Sequence, residues 1–347
     1  MNSPFISIFI PVYNGAQYLK ETLDSISAQQ FTNFEVLCVD DSSTDNSYAI
    51  LQNYASKDIR FRVFRKENEG SVPPSWRYVI PHLKGEFTLY MSQDDLLEPN
   101  SLILLAEDQA KADADAVVPS EYIYFENGTG TDRPFIGKRD LIGKVIDGTA
   151  AFRLMLDYSI SGFTLWKTDI IRANGIRTDT FNTDELAQRQ WISCCNRVAF
   201  SRAVFYYRCD NLQSITKQLY PFTYGSVYTN ALLLQLANQV CPSDKKLQES
   251  LANNYFLVLY YRMIQYLQHQ KDYTVAEKKT IRKHFRKAHN ILRHQVTLPN
   301  WKYYIGRICY PMMELVTLFK YFQYRQRGIL LHDDIDIPIQ SATPKLI

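Results

Sequence analysis

The chain has 347 residues, 46% of them hydrophobic and 22% charged, with a formal net charge of +3. That length allows one large domain or two ordinary ones, the apolar share excludes a disordered chain, and a charge so close to neutral gives no footing for nucleic-acid binding. Six cysteines without a CxxC or Cys/His metal spacing read as reduced thiols of a cytosolic protein, with no basic-then-apolar leader and no apolar run long enough to span a bilayer.

In chain order, the first 120 residues alternate strand and helix patterns. Residues 6–10 form an apolar run that stops at Pro11, before a loop with Tyr13, Asn14 and Gly15. Residues 16–30 carry Leu19, Leu23 and Ile26 at helical spacing. Residues 34–39 are mostly apolar and end in Asp40 and Asp41. A helix over 46–57, a strand over 60–64, a loop with Asn68 and Gly70, and a helix over 75–83 follow. A strand over 86–91 then runs into Ser92, Gln93, Asp94 and Asp95. Pro99 opens another helix, and 116–119 is a further strand. Strands apolar on both faces, joined by helices, predict an α/β fold with a doubly wound parallel sheet and right-handed crossovers. In such sheets ligands bind beyond the carboxyl ends of the strands.

Two of those strands end in acidic pairs. Asp at a strand end commonly caps the next helix. Two pairs at one sheet edge repel unless a cation sits among them, and this pattern points to a divalent Mg or Mn ion holding a diphosphate. Residues 120–150 read as hairpin and loop, 162–166 as a strand, and 167–173 as a helix ending at Asn174 and Gly175. Asp184 and Glu185 open a further helix, either as dipole partners or as a general base. Short strands are expected at 198–200 and 204–207. Beyond about residue 220 strand signals vanish, and helices are expected over 247–270, 275–292 and 301–324, the last two basic and aromatic. Such a segment is either a solvated helical face or a surface for peripheral association with an anionic membrane. The expected layout is a catalytic domain over 1–215, divided near 120, then a helical region over 216–331 and a flexible tail over 332–347.

These motifs together resemble glycosyltransferase family 2, the inverting nucleotide-sugar transferases of GT-A fold. The resemblance rests on ISIFIPVYNGAQYL, FEVLCVDDSSTDNS, KENEG, GEFTLYMSQDDLLEPNSL and NTDELAQR followed by VFYYR, in that order over some 210 residues. It implies a Rossmann-like sheet flanked by helices, with a C-terminal helical region. It implies that Pro11, Tyr13, Asp40, Asp41, Asn68, Gln93 and Asp94 bind the nucleotide-diphospho-sugar donor. Asp94, with Asp95 beside it, would hold the divalent cation (Mg or Mn), and Asp184 or Glu185 would be the base on a saccharide acceptor. Ser92 stands where the family has its first metal carboxylate, and Pro74-Ser75-Trp76 replaces the usual Ala-Arg-Asn. The implied activity is sugar transfer in bacterial surface polysaccharide or lipopolysaccharide synthesis, onto an acceptor that is free or lipid-linked, in the cytoplasm or at the inner face of the plasma membrane. The rival reading is a catalytically impaired nucleotide-sugar-binding or scaffold protein. A dehydrogenase is excluded by the absence of GxGxxG after the first strand. A nucleotidyltransferase lacks its glycine- and lysine-rich phosphate loop.

Overall fold

The structure is a computed structural model that describes residues 3–126, 129–215, 218–327, 329 and 331. The tail expected over 332–347 lies outside them. The chain divides into two compact units, Met1–Arg177 with Ala187–Leu212, and Thr178–Leu186 with Gln213–Ile347.

The first unit is built on one sheet. Strands β1 (Ile6–Val12), β2 (Phe34–Asp40), β3 (Phe61–Arg65) and β4 (Phe87–Tyr90) lie in the order β3-β2-β1-β4, all parallel. Every residue of β2 and all but Pro11 of β1 are buried, as strands covered on both faces require. Helices α1 (Leu19–Ser27), α2 (Ser47–Lys57) and α3 (Val72–Val79) connect them, and Leu19, Leu23, Ile26 and Leu51 enter the core. After β4 come β5 (Leu96–Leu97), α4 (Ser101–Ala112), the hairpin β6 (Ala116–Glu126) with β7 (Thr129–Gly137), and β8 (Val145–Ile146). Next are α5 (Gly148–Leu156), β9 (Leu165–Lys167), α6 (Thr168–Asn174), α7 (Thr183–Ser193) and β10 (Val198–Arg208).

The α/β expectation holds, and the second half of the sheet is mixed. β9 runs antiparallel between β4 and β6, β6 and β10 are parallel, and β5 and β8 pair antiparallel with β10. The two short strands expected at 198–200 and 204–207 are one strand. A register shift between Ser201 and Val204 interrupts its pairing, a bulge that breaks the alternation read from sequence. Trp76 fills the core against Phe9, Tyr90 and Trp191, and Trp191 packs in turn on Trp166. All three tryptophans are fully buried.

The second unit is helical: α8 (Ser226–Val240), α9 (Lys245–His269), α10 (Val275–Leu292), α11 (Trp301–Ile308) and α12 (Tyr310–Gln326). α9 is its central helix and buries residues around most of its circumference. A Thr274–Glu277 capping box starts α10 at the position its sequence signals. The helix expected over 301–324 is two helices, because Pro311 has no N–H to continue one through Cys309 and Tyr310. Among the described residues no helix is long and apolar enough to cross a membrane.

Candidate active site

β1 leaves through α1 toward β2, whereas β4 arrives from β3 on its other side. Their adjacent carboxyl ends therefore open a crevice at the point where the strand order reverses, the usual ligand position in such sheets. Gln93, just past β4, closes across it. Its Oε1 accepts the Tyr13 N–H at 2.8 Å, and its Nε2 donates to the Tyr13 carbonyl at 3.1 Å. The Thr22 hydroxyl on α1 donates to the Gln93 carbonyl at 2.9 Å. Gly15 makes room for this clamp, since a Cβ there would stand 2.4 Å from Gln93 Oε1. The Tyr13 ring is left 47% exposed at the rim, and Pro11 lies half-buried within β1.

The loop after β2 is tied to the loop after β1. The Asp41 N–H donates to the Val12 carbonyl at 2.7 Å, Asn14 N–H to Ser43 Oγ at 3.0 Å, and Gly15 N–H to Ser47 Oγ at 2.9 Å. Asp45 Oδ2 accepts the Ala16 N–H, and Asn14 Oδ1 accepts that of Thr44. Asp40 is fully buried; its Oδ2 lies 3.1 Å from Arg65 Nε and accepts the Ser43 N–H, which makes it a brace of the loop. Asp41 is also buried and pairs at 2.5 Å with Lys66 Nζ. Burial pushes its carboxyl above the usual carboxylate range, against the pull of the Lys66 ammonium. Lys66 also donates to the Glu67 carbonyl and lies 3.2 Å from Glu69. Asn68 is exposed, with its Oδ1 accepting the Gly70 N–H in a tight turn.

Asp94 and Asp95 are positioned from β10. The antiparallel register that sets Tyr206 opposite Leu96 places the end of β10 beside the Asp94–Asp95 turn. There the Arg208 N–H donates to Asp95 Oδ1 at 3.0 Å and its Nε to the Asp94 carbonyl at 3.0 Å, while Nη2 reaches Glu21 at 2.5 Å. The guanidinium lies between Tyr18 and Phe125, 4.3 and 4.6 Å from their ring centroids. Asn211 Nδ2 donates to Asp94 Oδ2 at 2.7 Å. Burial, and then the neighbouring Asp94 charge, push the Asp95 carboxyl above the usual carboxylate range, while the Arg208 N–H and the Ser92 hydroxyl favour its ionised form. Ser92 thus supports Asp95.

Among the described residues no three His, Cys, Asp or Glu side chains converge as a metal-ligand set. A small hard cation that shares its shell with two substrate phosphates and water needs only one or two protein carboxylates. The half-buried Asp94, with Asp95 behind it, fits that donor set. Tyr13, Asp40, Asp41, Gln93, Asp94 and Asp95 are thus gathered at one sheet edge. Asn68 joins them through the Lys66 loop. Asp184 and Glu185 stand half-buried in the first turn of α7, in the segment that belongs to the second unit. A cavity of about 480 Å³ lined by Phe5, Lys84, Lys167 and Arg172 lies at the opposite edge of the sheet, away from this cluster.

Lys66, Arg208 and Asn211 are the site residues that sequence reasoning missed. Lys66 carried a signal, a cation at the end of the strand beside an acidic pair. Arg208 ends the VFYYR motif without a role assigned to it and Asn211 carried no signal, because their proximity to Asp94 depends on pairing across more than 100 residues.

The family model described as Glycosyl transferase family 2 matches residues 7–161. Glycosyltransferase GlyG of Streptococcus pneumoniae is 35% identical over 125 residues, 36% of this chain and 42% of that protein. An uncharacterized glycosyltransferase of Rickettsia typhi is 42% identical over 100 residues, 29% of this chain and 30% of its own. The chain thus spans less than half the length of these relatives. Among solved structures, residues 1–349 of S. aureus TarS in complex with UDP-GlcNAc superpose with a TM-score of 0.63 at 16% identity, covering 93% of this chain and 92% of that one. At that identity the likeness shows the fold, which is GT-A. Over residues 7–161, within its first unit, the chain is similar to glycosyl transferase family 2.

Proposed function

We propose that the protein is a metal-dependent inverting glycosyltransferase that moves a sugar from a nucleotide-diphospho-sugar to a saccharide hydroxyl. The observation that carries this reading is the joining of three strand-end loops, 13–16, 41–47 and 92–95, into one acidic crevice in a family 2 domain. Tyr13, Asp41 and Asn68 border the nucleoside, with Lys66 and Gln93 fixing the loops that carry them. Asp94 and Asp95 would hold a Mg or Mn ion against the donor phosphates, where it supplies positive charge to the departing diphosphate. Asp184 or Glu185 takes the proton from the acceptor hydroxyl as its oxygen attacks the anomeric carbon. The diphosphate leaves from the opposite face, and the configuration inverts. TarS crystals hold UDP-GlcNAc and UDP, so UDP-GlcNAc is the first donor to assay. The acceptor is a growing saccharide of a bacterial surface polysaccharide, lipid-linked and presented at the inner face of the plasma membrane.

The test is donor hydrolysis and transfer with Mn or Mg. Asp94→Ala, and a double change of Asp184 and Glu185 to Ala, should each lower turnover at least 100-fold. Intact transfer in both variants would refute the site assignment. Ser92 favours one second reading, nucleotide-sugar binding without turnover. Calorimetric binding of donor with no hydrolysis or transfer would establish it.

A further inference from the structure

The second unit carries a charge that the composition of the whole chain conceals. Residues 275–327 hold twelve Lys and Arg against two carboxylates, Glu277 and Glu314, a net +10 in a chain whose total is +3. Alongside that charge runs an apolar surface that the unit does not bury. α12 already has a packed face, with Met313, Val316 and Thr317 buried. Leu315, Leu318, Phe319 and Phe322 form a second stripe at helical spacing on the same helix, and Tyr304 and Ile308 add to it from α11. These six are between 38% and 60% exposed. Cations frame the stripe. Arg293 Nη1 donates to the Ile308 carbonyl at 2.7 Å, and the Arg307 guanidinium sits 4.9 Å from the Tyr304 ring centroid. Lys320 lies 4.5 Å over Tyr324, and Arg325 and Arg327 close the helix exposed.

We infer that this face of α11 and α12 docks on an anionic lipid surface, with the Leu and Phe side chains entering the acyl boundary and the surrounding cations on the headgroups. A stripe of large apolar residues flanked mainly by cations, with Glu314 the one carboxylate of α12 exposed beside it, is the pattern of helices that lie in the membrane plane. A soluble polyanion would use the charge and leave Leu315, Phe319 and Phe322 in water. The sixteen residues after Leu331 contain three carboxylates and one Lys, too few to neutralise the basic region. The inference rests on the membrane location proposed above, and not on the transfer chemistry.

Flotation of the full chain with vesicles of phosphatidylcholine alone, or with a quarter phosphatidylglycerol, tests it. Binding is expected only to the anionic vesicles. It should fall at least tenfold in Leu315→Ser/Phe319→Ser/Phe322→Ser, and again in Lys320→Gln/Arg325→Gln/Arg327→Gln. Both triple variants should keep the wild-type thermal transition and donor hydrolysis, since none of the altered side chains is buried. The inference is overturned if the wild type stays with neither vesicle or binds both equally. It is also overturned if light scattering shows dimers that the Leu/Phe variant dissociates and no vesicle binding occurs. Flotation that appears only in Asp333→Asn/Asp334→Asn/Asp336→Asn would show that the tail occupies the stripe, and would overturn it too. Flotation without turnover would refute the transferase reading and leave the docking face standing.

Discussion

Replacing Arg208 by Met removes a guanidinium whose side chain is 3% exposed while keeping most of its apolar stem. Three main contributions are lost together, besides a longer 3.6 Å ion pair with Asp210. The hydrogen bond from Nε to the Asp94 carbonyl, made by a charged donor, is worth about 1.5–3 kcal/mol. The contacts over Tyr18 and Phe125 add about 1–2 kcal/mol in a desolvated setting. The pair with Glu21 adds less than about 1 kcal/mol, because that carboxylate is 56% exposed and regains water. Such terms overlap, and a net cost near 3 kcal/mol is expected. For a unit of about 200 residues, this lowers the melting temperature by roughly 6–12 °C. With its carbonyl released, Asp94 shifts from the donor phosphates, and kcat/KM for the donor should fall about 100-fold at temperatures where the variant is folded. Differential scanning calorimetry and initial-rate kinetics measure the two effects. A variant within 2 °C of wild type and unchanged in kcat/KM would refute the placement of Arg208 as the support of this turn.

Lys66→Met should cost about 3 kcal/mol at pH 7 by leaving the buried Asp41 without its cation. Asp41 already has a folded-state pKa above its usual value, and losing Lys66 raises it further. The folded state therefore binds the proton more tightly than the unfolded state, and denaturant titrations should show the variant regaining stability from pH 7 to pH 5. No recovery on acidification would contradict the pairing. His289 gives the opposite sign in the second unit. It is fully buried, donates from Nε2 to the Gly306 carbonyl at 2.8 Å, and faces Tyr310, Arg293 and His294. Burial, and the Arg293 charge, hold its pKa below the usual histidine value. The stability it confers is complete above about pH 6.5 and declines by up to about 1.4 kcal/mol per pH unit below it. His289→Phe should flatten that slope in pH-dependent unfolding, and an unchanged slope would assign it elsewhere. Gly15→Ala should displace Gln93 and weaken nucleotide binding about tenfold by calorimetry, with little change in melting temperature; unaltered affinity would remove the clamp from the site.

Much of the first unit was legible because its signals are local. A short, mostly apolar run such as Phe34 to Val39 suits a buried strand, and helical spacing at Leu19, Leu23 and Ile26 faces one side. The acidic pairs share one sheet edge because parallel strands bring their carboxyl ends to one side. What the sequence hid depends on long-range pairing. β9 enters antiparallel between β4 and β6 through three residues, too short a run for any periodic signal. Arg208 reaches Asp94 only through the β5–β10 register. Ser92 looked like a missing ligand, and its hydroxyl supports Asp95 instead. In the second unit, α8 went unread because Thr229, Asn230 and Gln235 interrupt its apolar pattern, although Thr229 is buried and donates to the Phe181 carbonyl.

The central claim is that the crevice at the ends of β1, β2 and β4 holds a nucleoside diphosphate with a divalent cation. Calorimetric titration with UDP, GDP, CDP and ADP, with and without Mn, tests it most directly. The account predicts that one of the four binds, that Mn tightens it at least tenfold, and that Asp94→Ala abolishes the Mn effect while leaving weak nucleotide binding. Binding of none of them, or a Mn dependence that survives Asp94→Ala, would contradict it.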